Sequence, residues 1–271
     1  MNGAVELQSK LASVLAAHPA LLFLWMGIVV LVLISLMGMG MVLRRLRLRG
    51  ELSFTGVKLL KMPDSDALLL LFILSWLMVI PVGAWFFPAV SIGGVIWLLR
   101  RHGIDAREQW GSGRLSWGKL VGLVLWTYLV VMGLLLPVSW VMDQLAARFH
   151  WHMAPQIAVE LLLESGSPWK VGWLLFLAVI LAPVSEEILF RGFLYPLLKS
   201  RLPVGVAWVL TAAIFAAIHF HAMTFPQLFV LGLVLAAAYE ITGSLALCVG
   251  IHMCFNFVSA GVLLVIKYAT V

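Results

Sequence analysis

The chain has 271 residues, of which 63% are apolar and only 11% charged, against the roughly one quarter charged that soluble domains carry. Twelve Trp, fifteen Phe and twelve Met, with a mean hydropathy of +1.08, leave too little polar surface to cover a water-soluble globule, so lipid is the solvent. Unbroken apolar runs of about 20 residues exclude a closed β-barrel of short alternating strands and predict an all-α, polytopic transmembrane bundle. A net charge of +6 and a pI near 9.6 reflect basic loops between these runs, and no nucleic-acid partner is expected.

The first run, Leu21 to Leu43, is long enough to span. It lacks the short core and basic start of a cleavable signal and reads as a retained helix. Eleven of the 18 Lys and Arg fall in two stretches: Arg44, Arg45, Arg47, Arg49, Lys58 and Lys61, then Arg100, Arg101, Arg107, Arg114 and Lys119. By the positive-inside rule both face the cytoplasm. The apolar region between them, Ala67 to Leu99, must then cross an even number of times. Its 33 residues, broken by Pro81, Pro88 and Gly93-Gly94, suit a tight pair of short helices, with a single pass plus an interfacial helix as the alternative.

Further spans are predicted at Leu120 to Met142, Val171 to Phe193, Gly205 to Phe220, Pro226 to Tyr239 and Ser244 to Ile266. The stretch Asp143 to Lys170, poor in basic residues and broken by Pro155, Gly166 and Pro168, fits the outside, whereas Lys199 and Arg201 fit the inside. Eight helices satisfy both constraints; seven would put one Arg-rich loop on the wrong face. No internal repeat stands out, and one integral membrane domain is expected. Cys248 and Cys254, six apart in one apolar segment, are read as small packing residues and not as a disulfide.

Polar residues within the apolar runs are the functional signal. LAPVSEEILFRGF places Glu186, Glu187 and Arg191 in a spanning segment, where each charge costs at least ~2.5 kcal/mol on insertion scales. Glu187 and Arg191, four apart, share a helix face and can neutralise one another as a helix-bracing salt bridge. Glu186 points about 100° away and has no such partner; two adjacent carboxylates in a low-dielectric site do not both stay comfortably ionised, so one of them is a candidate general base. Two further runs carry His219, in FAAIHF, and His252 with Asn256, in GIHMCFNF. A chain turning near Arg201 to Pro203 puts Glu186 and His219 at one depth, ~22 Å along antiparallel helices. His252 comes out shallower, at ~12 Å, unless the Thr242-Gly243 turn is itself sunk in the protein.

A carboxylate and an imidazole can deprotonate a shared water, while a second imidazole and an amide can donate to an oxyanion, so these residues suffice for direct water attack on an amide. Ser185 has no G-x-S-x-G elbow and reads as a packing residue. Glu186, Glu187, His219 and His252 could also ligate zinc, so metal dependence stays open, although no cofactor is required. His150, His152 and His221 are read as interfacial residues, and Glu240 as a solvated helix terminus.

SEEILFRGFLY, FAAIHF and ITGSLALCVGIHMCFNF, in that order, resemble the three motifs E-E-x-x-x-R, F-x-x-x-H and H-x-x-x-N of the CPBP family, the CAAX protease and bacteriocin-processing intramembrane proteins. The resemblance covers the last third of the chain. It implies a glutamate-dependent intramembrane endopeptidase, similar to the Ras-converting CAAX endopeptidase, with eight spans around a cavity open to the cytosolic side. It divides the chain into helices and basic loops over 1–170 and a catalytic core over 171–271. By motif, Glu186 with His219 would activate water, His252 with Asn256 would stabilise the oxyanion, and Glu187 and Arg191 would shape the site. Relatives carry names either as metalloproteases or as bacteriocin self-immunity proteins. The implied partners are a membrane-associated peptide or protein substrate and the bilayer, and short loops with a basic composition suggest a bacterial inner membrane. A non-catalytic scaffold or immunity protein is the competing reading. A proton-coupled carrier is a third, disfavoured because the polar residues crowd into one third of the chain instead of both halves.

Overall fold

The structure, a computed structural model, describes residues 30, 32–38, 40, 41, 56–79, 83–151 and 156–269. Its elements are α1 (Asp64–Val79), α2 (Gly83–Arg101), the single turn α3 (Ala106–Gln109), α4 (Trp117–Phe149), α5 (Ile157–Glu164), α6 (Pro168–Lys199), α7 (Val204–Ala217), α8 (Phe225–Thr242) and α9 (Leu245–Ala269). No strand occurs among the described residues. Four helices, α4, α6, α8 and α9, are long and apolar enough to cross a membrane, and α7 is a shorter apolar helix. The all-α membrane bundle expected from composition is thus observed. The predicted first span lies largely outside the described residues, as do Arg44 to Arg49.

The 67–99 region forms the helix pair and not the single pass. Asp66, at the start of α1, meets His102 just past the end of α2, with His102 Nε2 at 2.9 Å from its carboxylate and Arg101 Nε at 3.4 Å. Helix α4 continues past the expected Met142 to Phe149; its 33 residues reach about 50 Å at 1.5 Å per residue, beyond a hydrocarbon layer of about 30 Å. The following segment contains the short helix α5.

Hydrogen bonds sort the connections into two ends. At one end Lys199 Nζ donates to Val57 O (3.2 Å), Arg201 pairs with Asp64 and donates to Met62 O (2.9 Å), and Lys58 pairs with Glu108. Arg114 donates to Gly56 O (3.1 Å) and Gln109 to Lys58 O (3.1 Å) at the same end. At the other end Lys267 donates to Leu162 O (2.8 Å), and Gln156 to Thr224 Oγ1 (2.8 Å). The loop after α2 and the α6–α7 turn therefore share one face. Among the described residues that face holds Lys58, Lys61, Arg100, Arg101, Arg107, Arg114, Lys119, Lys199 and Arg201, against Arg148, Lys170 and Lys267 opposite.

Helix α6 is the centre of the bundle and is not uniform. Two π-turns, Leu177–Leu181 and Phe190–Leu194, bracket the α-helical stretch Ala182–Leu189 that carries the glutamates. A proline follows each. In the first π-turn Ala182 N–H bonds Leu177 O, five residues back; Pro183 has no N–H to continue the ladder, which leaves Ala178 O short of a donor. The Asn256 amide of α9 supplies one at 2.7 Å. In the second, Tyr195 N–H bonds Phe190 O, five residues back, and the Trp110 indole donates to Gly192 O at 3.2 Å. A Cβ on Gly192 would stand 2.7 Å from that indole nitrogen, so only glycine allows the approach. The carbonyl that Pro183 leaves short and one carbonyl of the second π-turn thus each receive a side chain from a distant segment.

Candidate active site

The six residues picked out by motif converge from α6, the α7–α8 turn and α9. Glu187 and Arg191 have fully buried side chains and meet at 2.8 Å, the pairing expected from their spacing. Arg191 also donates to Gly232 O of α8 at 3.1 Å and lies 4.6 Å above the Phe215 ring. His252 Nδ1 is 2.8 Å from the same Glu187 oxygen that receives Arg191. That oxygen already accepts from a guanidinium, so Nδ1 is the donor and the imidazole is held in one orientation.

Glu186 is different. Its Oε2 lies 4.0 Å from His219 Nε2 and 3.9 Å from His252 Nε2, and it is buried without any hydrogen bond. His219 Nδ1 sits 2.8 Å from Phe215 O; a carbonyl only accepts, so Nδ1 carries the proton and Nε2 of the neutral ring turns its lone pair inward. Three acceptor-capable atoms thus face one another across gaps too long for direct hydrogen bonds. A water molecule that donates within this triangle satisfies Glu186.

Predicted depths agree with this geometry. Glu186 and His219 share a level, and His252 reaches it because the condition set by its position is met: the turn before α9 is sunk in the protein. Gly243 and Ser244 are buried beneath the loop after α2, with Leu245 N–H bonded to Trp110 O at 3.0 Å. Gly243 adopts φ +62° and Gly111 φ +61°, and a Cβ on Gly111 would collide with the Gly243 carbonyl.

Asn256 is placed differently from a dedicated oxyanion donor. One of its amide protons is committed to Ala178 O, so it also fastens α9 to the first π-turn, and only the second proton is free for a ligand. Ser185 is buried with its hydroxyl donating to Ala182 O at 2.9 Å, a packing residue as read. His221 lies 3.2 Å from Thr224 Oγ1 in the α7–α8 turn, His150 caps α4 in a left-handed conformation, and His152 lies outside the described residues. Among the described residues no group of three or more His, Cys, Asp and Glu side chains has the spacing of a metal cage.

The expectation for Glu240 is overturned. It is 2% exposed, accepting from Tyr195 Oη at 2.8 Å and from Lys199 Nζ at 2.6 Å. Its place at the end of an apolar run suggests a solvated terminus, but the loop after α2 covers this end of α8. Tyr195 and Lys199, four apart on α6, were the available signal for a buried acceptor.

Residues 168–258 match the family described as type II CAAX prenyl endopeptidase Rce1-like. No curated protein and no solved structure matches the chain significantly. The matched stretch runs from the start of α6 into α9 and contains all six residues of the cluster. Through this region, about a third of the chain, the protein is similar to the CAAX protease family.

Proposed function

We propose that the protein is an intramembrane endopeptidase that cleaves membrane-associated peptides or proteins with a water molecule activated by Glu186 and His219. The observation that carries this reading is the buried, unbonded Glu186 oxygen between two histidines whose Nδ1 atoms are engaged elsewhere. Glu186 takes a proton from the water, whose oxygen bonds to the scissile carbonyl carbon. The tetrahedral oxyanion is then stabilised by His252 and the free Asn256 proton, the C–N bond breaks, and the proton held by Glu186 passes to the departing amine. Donation from His252 Nε2 requires a proton there as well as on Nδ1. The resulting cation would join Arg191 in balancing the Glu186 and Glu187 carboxylates.

Glu187 and Arg191 act on this site through His252: they hold the ring and touch no reacting atom in this scheme. The scaffold or self-immunity reading needs the same buried braces but no water-sized gap at Glu186. Purified protein and its Glu186→Gln variant, incubated with a library of membrane-tethered peptides, separate the two. Cleavage by the parent that is lost in the variant supports the protease; no cleavage by either, or equal cleavage by both, removes it.

A further inference from the structure

We infer that Trp110, in the loop after α2, is a positioning residue for the candidate active site: its indole and its carbonyl fix the two helices that carry Arg191, Glu187 and His252, and through those side chains it sets the place of the His252 ring. This role rests on the protease reading for its effect on turnover; its effect on the ring follows from packing alone. Trp110 lies outside the matched residues 168–258, so the family likeness assigns it nothing.

The second π-turn of α6 sets where Arg191 stands. Turns of this kind are rare within helices, and their extra residue swings the side chains that follow to a new direction. Arg191 and Gly192 are successive members of this turn. The Trp110 indole, which can donate but not accept, gives its N–H to Gly192 O at 3.2 Å. A Cβ on Gly192 would stand 2.7 Å from the indole nitrogen and 3.3 Å from Leu245 Cδ2, so the ring and the first side chain of α9 both close on the turn. The carbonyl of the same Trp110 accepts from Leu245 N–H at 3.0 Å. His252 follows Leu245 by seven residues, about two turns along α9 and on the same face. One residue thus fastens the start of α9 to the turn that carries Arg191. Trp110 is itself held, because its neighbour Gln109 donates to Lys58 O at 3.1 Å and accepts on its carbonyl from Tyr239 Oη of α8 at 2.9 Å.

From this anchor a short series of contacts reaches the reacting end of the site. Arg191 donates to Glu187 Oε1 at 2.8 Å, and the same oxygen accepts from His252 Nδ1 at 2.8 Å. His252 Nε2 then lies 3.9 Å from Glu186 Oε2, on one side of the gap that suits a water. Every link is buried: Arg191 and Glu187 are not exposed at all, and His252 is 3% exposed. In so dense a layer a shift at Gly192 has no empty space to absorb it and passes on to the ring. Misplacing a reacting group by about 1 Å can cost ~10²-fold in rate. Tyr195 provides the contrast. It is as deeply buried and only three residues beyond Gly192, but its hydroxyl bonds Glu240 and takes no part in the series.

Comparing the parent with Trp110→Phe and Tyr195→Phe, each as full-length protein in detergent, tests this role by two readings. One is kcat and KM on a membrane-tethered peptide that the parent cleaves. The other is the magnetic resonance of the His252 Nδ1–H proton in protein carrying isotope-labelled histidine, identified by its absence in His252→Gln. Trp110→Phe keeps the carbonyl bond to Leu245 and removes the indole N–H. Its kcat should fall by ~10- to 10²-fold with KM unchanged, and the ring proton should move or be lost to exchange with water. Tyr195→Phe should leave both readings at parental values while lowering the unfolding midpoint. A parental kcat or a parental ring proton in Trp110→Phe overturns the role. So does an equal change in Tyr195→Phe, which would make the effect a loosening of the whole layer. Should Trp110→Phe fail to fold, benzothienylalanine incorporated at position 110 keeps the shape of the ring and lacks the N–H, and the same outcomes apply to it. An inactive parent removes the protease reading, and the ring proton alone then decides the role of Trp110.

Discussion

Glu186 and Glu187 are adjacent on one helix and occupy opposite kinds of environment. Glu187 is sealed, receives Arg191 and His252 on one oxygen, and belongs to a layer in which α6, α8 and α9 are fastened together. Glu186, about 100° around the helix, meets no donor and keeps a water-sized gap to two histidines. Adjacent positions on a helix cannot face the same surroundings. The paired acids thereby divide into one that holds the bundle and one whose inward oxygen is left without a hydrogen bond.

The sharpest break in this comparison comes from removing the free acid. Glu186→Ala or His219→Ala should abolish turnover with normal folded yield, and the double variant should be little worse, because groups acting on one water are non-additive. Near-normal kcat in Glu186→Ala would return the site to the scaffold reading. The braced acid should behave in the opposite way. Glu187→Gln leaves Arg191 as an uncompensated buried charge and should cost about 3–5 kcal/mol, read as lost folded yield and a lower unfolding midpoint in detergent.

Asn256 stands between the two environments. Asn256→Ala should lower kcat by ~10²–10³ if its free proton serves the oxyanion, leaving measurable activity. A loss of stability should accompany it, because Ala178 O then has no donor. An unchanged kcat with lowered stability would make Asn256 a fastener only. Smaller still is Tyr195→Phe, which removes one of the two donors to Glu240 and should cost about 1 kcal/mol in a denaturation series, without effect on kcat. The smallest expected effect is that of chelation: in the proposed scheme Glu186 and His219 activate the water, and activity should survive exhaustive metal removal. Stoichiometric zinc that leaves together with activity would replace the water-activation scheme.

Much of this was legible in the sequence because the bilayer is a severe solvent. Apolar length alone marks a span, and an ionisable residue inside one demands a reason, so Glu186, Glu187, Arg191, His219, His252 and Asn256 stood out before any fold was known. Four-residue spacing likewise predicts the Glu187–Arg191 pair, since it rests on local helix geometry. Tertiary structure alone decided the rest. It sank the Gly243 turn and raised His252 to the level of Glu186, it buried Glu240 under a loop more than 100 residues earlier in the chain, and it set Asn256 against the carbonyl that Pro183 leaves unanswered and Trp110 against Gly192 O. Those pairings join segments far apart in the chain, and neither hydrophobic periodicity nor local propensity contains the identity of a distant partner.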